Sequence, residues 1–188
     1  MANGVLFVIS APSGAGKSTL IEHALPMFPG LRYSVSSTTR APREGEQDGI
    51  DYHFLSKEEF SRIVEEGGFL EWKEVHGNFY GTPAEPVKQA MEAGRDMILD
   101  IDVEGAKEVF SRVDNSVGVF VEPPDMEELE RRLCARGTES SESLCMRLTN
   151  AESEMKLGDL FTYRIVNDDM DTAVKELVSI IEKESWNY

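Results

Sequence analysis

A run of β-branched and aromatic residues, Val5-Leu-Phe-Val-Ile-Ser10, breaks directly into Ala11-Pro-Ser-Gly-Ala-Gly-Lys-Ser18, and a helical stretch follows as far as Met27. That order constrains the fold more than any other feature of the chain. A strand that is apolar along its whole length must be covered on both faces, as strands of parallel α/β sheets are. A glycine-rich turn between such a strand and a helix lets backbone N–H groups close around a phosphate at the positive end of the helix. In this arrangement Lys17 reaches the β and γ phosphates of a nucleotide, and the Ser18 hydroxyl is placed for Mg²⁺. The general pattern for such loops has glycine where this chain has Ala11.

Three further runs repeat the theme: Asp96-Met-Ile-Leu-Asp-Ile-Asp102, Val117 to Val121, and the shorter Arg164-Ile-Val-Asn167. Between them, helices are predicted from Pro83 to about Ala93 with Thr82 as N-cap, and from Met126 to about Ala135 behind Asp125. A last helix, about Asp171 to Ser185, carries Val174, Leu177, Val178 and Ile181 on one stripe. The expected class is therefore α/β, three layers around a parallel sheet. Tyr33 to about Gly81 and Arg136 to about Leu157 do not fit the alternation and read as insertions into one domain. A magnesium partner is expected where a parallel strand ends near the loop, which brings in Asp100 and Asp102. Strand alternation would turn both to the same side.

Charge limits the partners. Lys plus Arg is 19 against 35 Asp plus Glu, a net charge of −16, which excludes the broad basic surface a nucleic-acid binder needs. Anions must bind where scarce basic residues are concentrated. Ser34-Val-Ser-Ser-Thr-Thr-Arg-Ala-Pro-Arg43 is such a place, with two arginines, five hydroxyls and no acid. Arginine forks and hydroxyls suit a phosphate. Cys134 and Cys145 form no CxxC pair, and no apolar run is long enough to span a bilayer, so a cytoplasmic protein without a membrane partner is expected. His23, His53 and His76 lack metal-ligand spacing, and Met27, Met91 and Met97 read as core filler.

At this point the chain resembles the guanylate kinases. The matching pieces are Ser10-Ala-Pro-Ser-Gly-Ala-Gly-Lys-Ser-Thr19, Val35-Ser-Ser-Thr-Thr-Arg-Ala-Pro-Arg43, Gly77-Asn-Phe-Tyr-Gly-Thr82, Ile98-Leu-Asp-Ile-Asp102 and Ile165-Val-Asn-Asp-Asp169. The resemblance covers nearly the whole chain, and the family pattern tolerates alanine at position 11. It implies the P-loop nucleotide-kinase fold: a core of 1–32, 84–124 and 158–188, a GMP-binding insertion at 33–83 and a mobile helical lid at 125–157. The implied reaction is ATP plus GMP giving ADP and GDP with Mg²⁺, with dGMP as a further acceptor, in a monomer or small homo-oligomer.

Carried over by position, ATP meets Ala11, Pro12, Ser13, Gly14, Ala15, Gly16, Lys17, Ser18 and Thr19, with Asn167 near its base. The GMP phosphate meets Arg40, Arg43, Tyr52 and Tyr80, and the guanine meets Ser36, Glu71, Thr82 and Asp100. Where family members commonly carry a second tyrosine, this chain has Phe79. The implied catalytic cations are Lys17, Arg132, Arg136 and Arg147, while Arg131 reads as a solvated helical residue. Ser18, Asp100 and Asp102 are the implied metal residues. A non-catalytic scaffold module of the same fold would have lost the loop lysine and lid arginines. A kinase for another nucleoside monophosphate would lack Glu71 and Ser36.

Overall fold

The computed structural model describes residues 3–135 and 141–185. Numbered in chain order, β1 (Leu6–Ser10) is the middle strand of a five-stranded sheet. On one side lie β7 (Met97–Asp100) and then β2 (Arg32–Tyr33); on the other lie β8 (Ser116–Glu122) and then β9 (Tyr163–Val166). Every pairing is parallel, with Phe7 opposite both Ile98 and Val117. Because the sheet is covered on both faces, β1 is buried at every position. Phe7 and Ile9 pack with α1 (Lys17–Ala24) and α7 (Met170–Glu184). Leu6 and Val8 pack with α3 (Ala84–Glu92) and α4 (Val103–Arg112) on the other face. The sheet reverses its order outward from β1, so the loop after β1 opens at a topological switch point.

Residues 37–83 build a second, mixed sheet in the order β4 (His53–Phe54), β3 (Ser37–Thr38), β6 (Asn78–Pro83), β5 (Phe69–Val75). The β5–β6 hairpin turns through His76 and Gly77, both at positive φ. α2 (Lys57–Glu65) starts in a capping box: the Glu59 amide donates to Ser56 Oγ at 3.1 Å, and the Ser56 amide to Glu59 Oε2 at 2.9 Å. It stacks Phe60 on Phe69 and Phe79, with centroids 4.4 and 5.5 Å apart, giving this sheet a small core of its own. A helical pair, α5 (Met126–Ala135) and α6 (Ser141–Met155), closes a third cluster around Leu129, Leu133 and Ala151. No helix among the described residues is long and apolar enough to cross a membrane.

The structure differs from the sequence expectations at particular residues. Thr82 does not cap α3. It is the fifth residue of β6, and Pro83 takes the cap position. Threonine before proline suits a helix start locally, but pairing with β5 keeps Thr82 extended. Tyr33, placed at the edge of the insertion, still pairs with Ile98 in the main sheet. Met27 is 57% exposed at the end of a short 3₁₀ turn, whereas Met91 and Met97 are buried. Arg136 lies outside the described residues.

Candidate functional site

The loop between β1 and α1 owes its shape to glycine at two positions. Gly14 and Gly16 have φ of 98° and 93°, where a side chain is strained. Each is also crowded: a Cβ on Gly16 would lie 2.4 Å from the Asn167 amide nitrogen, and one on Gly14 would lie 2.8 Å from Leu133 of α5. Asn167 is buried and donates Nδ2–H to the Ala15 carbonyl at 2.7 Å. Its amide therefore braces the loop from beneath.

Lys17, the first residue of α1, extends across the loop. Its ammonium donates to the Ile101 carbonyl at 2.6 Å and pairs with Asp100 Oδ1 at 2.8 Å. Ser18 Oγ lies 3.3 Å from the second oxygen of Asp100. The strand ends at Asp100, and so does its alternation. Asp102 is the N-cap of α4, accepting from the Gly105 amide at 2.9 Å, and its other oxygen pairs with Lys73. The two aspartates thus have separate duties: Asp100 joins Ser18 and Lys17, and Asp102 does not.

Two cavities open beside the loop. The larger, about 470 Å³, is floored by residues 11–14 and 16–19 and walled by Asp102, Lys73 and Glu154 of α6. Burial pushes the Glu154 carboxyl above its ordinary pKa, and Lys73 and Lys17 act against that shift. The smaller, about 270 Å³, is lined by Ser36, Tyr52, Glu71, Tyr80 and Asp100, again with Lys17 and Lys73.

Glu71 is the most confined acid of that second cavity. Only 6% exposed, it accepts the Thr82 hydroxyl at 2.6 Å, and burial holds its carboxyl above the usual range while the Thr82 bond opposes the shift. The first turn of α4 crosses directly against it: a Cβ on Gly105 would stand 2.9 Å from Glu71 Oε2. Thr82 itself is fully buried, so its hydroxyl acts through Glu71.

Arg40 lies near the cavity's aromatic wall. Its guanidinium sits 5.5 Å from the Tyr52 ring centroid and 5.9 Å from that of Phe54. It makes a two-pronged pair with Glu46 at 2.8 and 2.9 Å, and the Arg43 amide donates to the same carboxylate at 2.7 Å. Those contacts hold Glu46 down at about 2. The Arg43 side chain is exposed nearby.

From the helical pair, Arg147 of α6 donates to Ser13 Oγ in the loop at 2.5 Å. Arg132 of α5 donates to the Asn167 carbonyl at 2.9 Å and to Glu128 at 2.6 Å. Arg131 faces outward and pairs with Glu128. Among the described residues no group of three or more His, Cys, Asp or Glu could hold a metal ion. The residue that sequence reasoning missed is Lys73. Only the period-two alternation of β5 signals it, by setting Lys73 on the face of Glu71.

Comparison with known proteins agrees with this geometry. The guanylate kinase family model matches residues 3–184. A guanylate kinase of Syntrophotalea carbinolica is 48% identical over 97% of this chain and 87% of its own. One of Rubrobacter xylanophilus is 49% identical over 97% and 96%. The crystal structure of guanylate kinase from Anaplasma phagocytophilum superposes with a TM-score of 0.78 at 34% identity, covering all of this chain and 89% of that one. A phosphate loop, a second cavity beside it and a match along nearly the full length lead to one conclusion: the chain belongs to the guanylate kinase family, the enzymes that phosphorylate GMP with ATP.

Proposed function

We propose that ATP lays its phosphates in the loop cavity over residues 11–19 and that GMP occupies the neighbouring cavity, with its guanine against Glu71. The observation that carries this reading is the shared wall: the two cavities adjoin, and Lys17 lines both. Guanine presents N1–H and N2–H₂ side by side, and the Glu71 carboxylate accepts from both. Thr82 orients that carboxylate, and Ser36 and Asp100 complete the base contacts. Arg40, Arg43, Tyr52 and Tyr80 take the acceptor phosphate, and Arg40 exchanges Glu46 for it. Lys17 with Arg132, Arg136 and Arg147 stabilises charge on the equatorial oxygens in transit, which is most of what phosphoryl transfer asks of a protein. Asn167 serves ATP by holding Ala15 and Gly16 in place.

The Ser18 hydroxyl and the Asp100 carboxylate are hard oxygen donors beside each other, which suits Mg²⁺. With no all-protein metal cluster among the described residues, the fit is to an ion carried largely by nucleotide phosphates. Bound there, Mg²⁺ supplies neutralisation of phosphate charge. Asp102, turned toward α4 and Lys73, is left out of that pair. A cytoplasmic setting is supported by two free thiols, Cys134 and Cys145, and a formal charge of −16 speaks against a nucleic-acid partner. A coupled assay of ADP release with GMP, AMP, UMP and CMP in parallel tests the reading. GMP should dominate, and comparable use of any other monophosphate would overturn the base assignment.

A further inference from the structure

Lys73 belongs to none of the motifs that mark the family, yet its place is specific. It lies two residues beyond Glu71 on the same face of β5, roughly 7 Å further along the strand. Its side chain lines the Glu71 cavity and the loop cavity alike, and Lys17 is the only other cation that does so among the described residues. Both side chains therefore stand where the two cavities meet. Lys73 is also available. It is 43% exposed in its side chain, and the Asp102 that holds it lines both cavities too. A flexible four-carbon stem lets the ammonium leave Asp102 for a more highly charged phosphate without moving β5.

We propose that Lys73 is a second catalytic cation, which contacts the phosphoryl group in transit together with Lys17. The inference rests on the placement of ATP and GMP proposed above. In the step concerned, a GMP phosphate oxygen forms the new bond to the γ-phosphorus. The bond from that phosphorus to the β,γ-bridging oxygen breaks, and its electron pair stays on ADP. Lys73 gives and takes no atom. It offsets the charge spread over the three equatorial oxygens, as Lys17 does. Asp102 holds the ammonium where the two cavities meet until the phosphates arrive.

Steady-state kinetics of Lys73→Met and Lys73→Arg, with Lys17→Met in the same series, test this. Lys73→Met keeps the length and apolar stem but not the charge. Its kcat should fall roughly 10- to 100-fold while KM for GMP stays within about twofold. Its melting temperature should hardly change, because a half-exposed ion pair contributes little to folding. Lys73→Arg should recover most of the lost kcat. A kcat for Lys73→Met within about twofold of the parent would overturn the proposal, as would a lowered melting temperature and raised KM with kcat intact, the signature of a purely structural brace. If Lys17→Met is crippled while Lys73→Met is not, only the role of Lys73 falls. If the parent protein does not prefer GMP, the placement of both substrates falls with it.

Discussion

Replacing Glu71 with glutamine should have opposite effects on activity and stability, and the structure supplies both signs. The carboxylate is proposed to accept two N–H donors from guanine, whereas an amide keeps one acceptor and turns a donor toward the other N–H. A hydrogen bond to a charged group is worth about 1.5–3 kcal/mol, so losing one and opposing two donors should cost roughly 2–4 kcal/mol. That corresponds to a fall in kcat/KM for GMP of about 30- to 1000-fold. AMP offers an acceptor at N1 and no 2-amino group, so its kcat/KM should fall far less and discrimination should narrow. Stability moves the other way. Burial raises the folded-state pKa of Glu71, so its favourable contribution is complete below the unfolded carboxyl pKa and is lost as pH rises through the folded one. Glutamine never ionises and escapes that loss. Glu71→Gln should therefore melt higher than the parent at pH 7, with the gap closing toward pH 4. Coupled ADP-release kinetics with GMP and AMP, and thermal unfolding across that pH range, read out both. An unchanged GMP-to-AMP ratio of kcat/KM would remove Glu71 from base reading, and a lower melting temperature at pH 7 would refute the burial argument.

Other perturbations separate the remaining parts. Lys17→Met should lower kcat by roughly 10²-fold or more with little effect on folding, because the transferred group loses its nearest cation; turnover near the parent value would exclude Lys17 from the chemistry. Gly105→Ala would put a methyl 2.9 Å from Glu71 Oε2, so KM for GMP should rise several-fold while KM for ATP stays put. Equal effects on both substrates would show that the α4–β5 contact is not selective for the acceptor. Small-angle scattering should give a smaller radius with a bisubstrate analogue than without it, as α5, α6 and the insertion close over the site. An unchanged radius would count against a mobile lid.

Local signals read well and tertiary ones did not. The phosphate loop is legible because strand, glycine turn and helix are consecutive, so Lys17 and Ser18 land where spacing puts them. The parallel sheet is legible because continuous apolar runs mean two covered faces. Thr82 misleads because Thr-Pro is a helix-start signal, and only pairing with β5 and the hydroxyl bond to Glu71 reveal a strand residue. Asp100 and Asp102 both face the Glu71 cavity, as alternation suggests, but β7 stops at Asp100, and only the start of α4 reveals that Asp102 serves as its cap. Glu71 drew its significance from the family resemblance, and Lys73 had no such aid. Both become meaningful once β5 docks on α4, where Gly105 meets Glu71, Asp102 meets Lys73, and Arg112 donates to the Leu70 carbonyl at 2.8 Å.

That docking also bears on how so acidic a chain can bind two polyanions. Lys17 and Lys73 line both cavities, Arg147 holds Ser13 and Arg40 lies against Tyr52 of their linings, and Arg132 holds Asn167 behind the loop. Lys17, Arg40, Lys73 and Arg132 already rest on carboxylates, namely Asp100, Glu46, Asp102 and Glu128. Each of these cations is therefore close to neutralised in its immediate surroundings. On the placement proposed above, binding is an exchange in which a phosphate replaces a carboxylate on a cation already in position. At Arg40 and Arg132 ordinary changes of pH cannot open the pair, because the arginines hold Glu46 and Glu128 down at about 2, well below any working pH. Only a competing anion of higher charge can. Such an arrangement favours dianionic and more highly charged phosphates over chloride or a lone carboxylate. On the placement proposed above, it selects for nucleotides before the base is read and leaves Glu71, a buried acid that accepts the Thr82 hydroxyl, to choose among them.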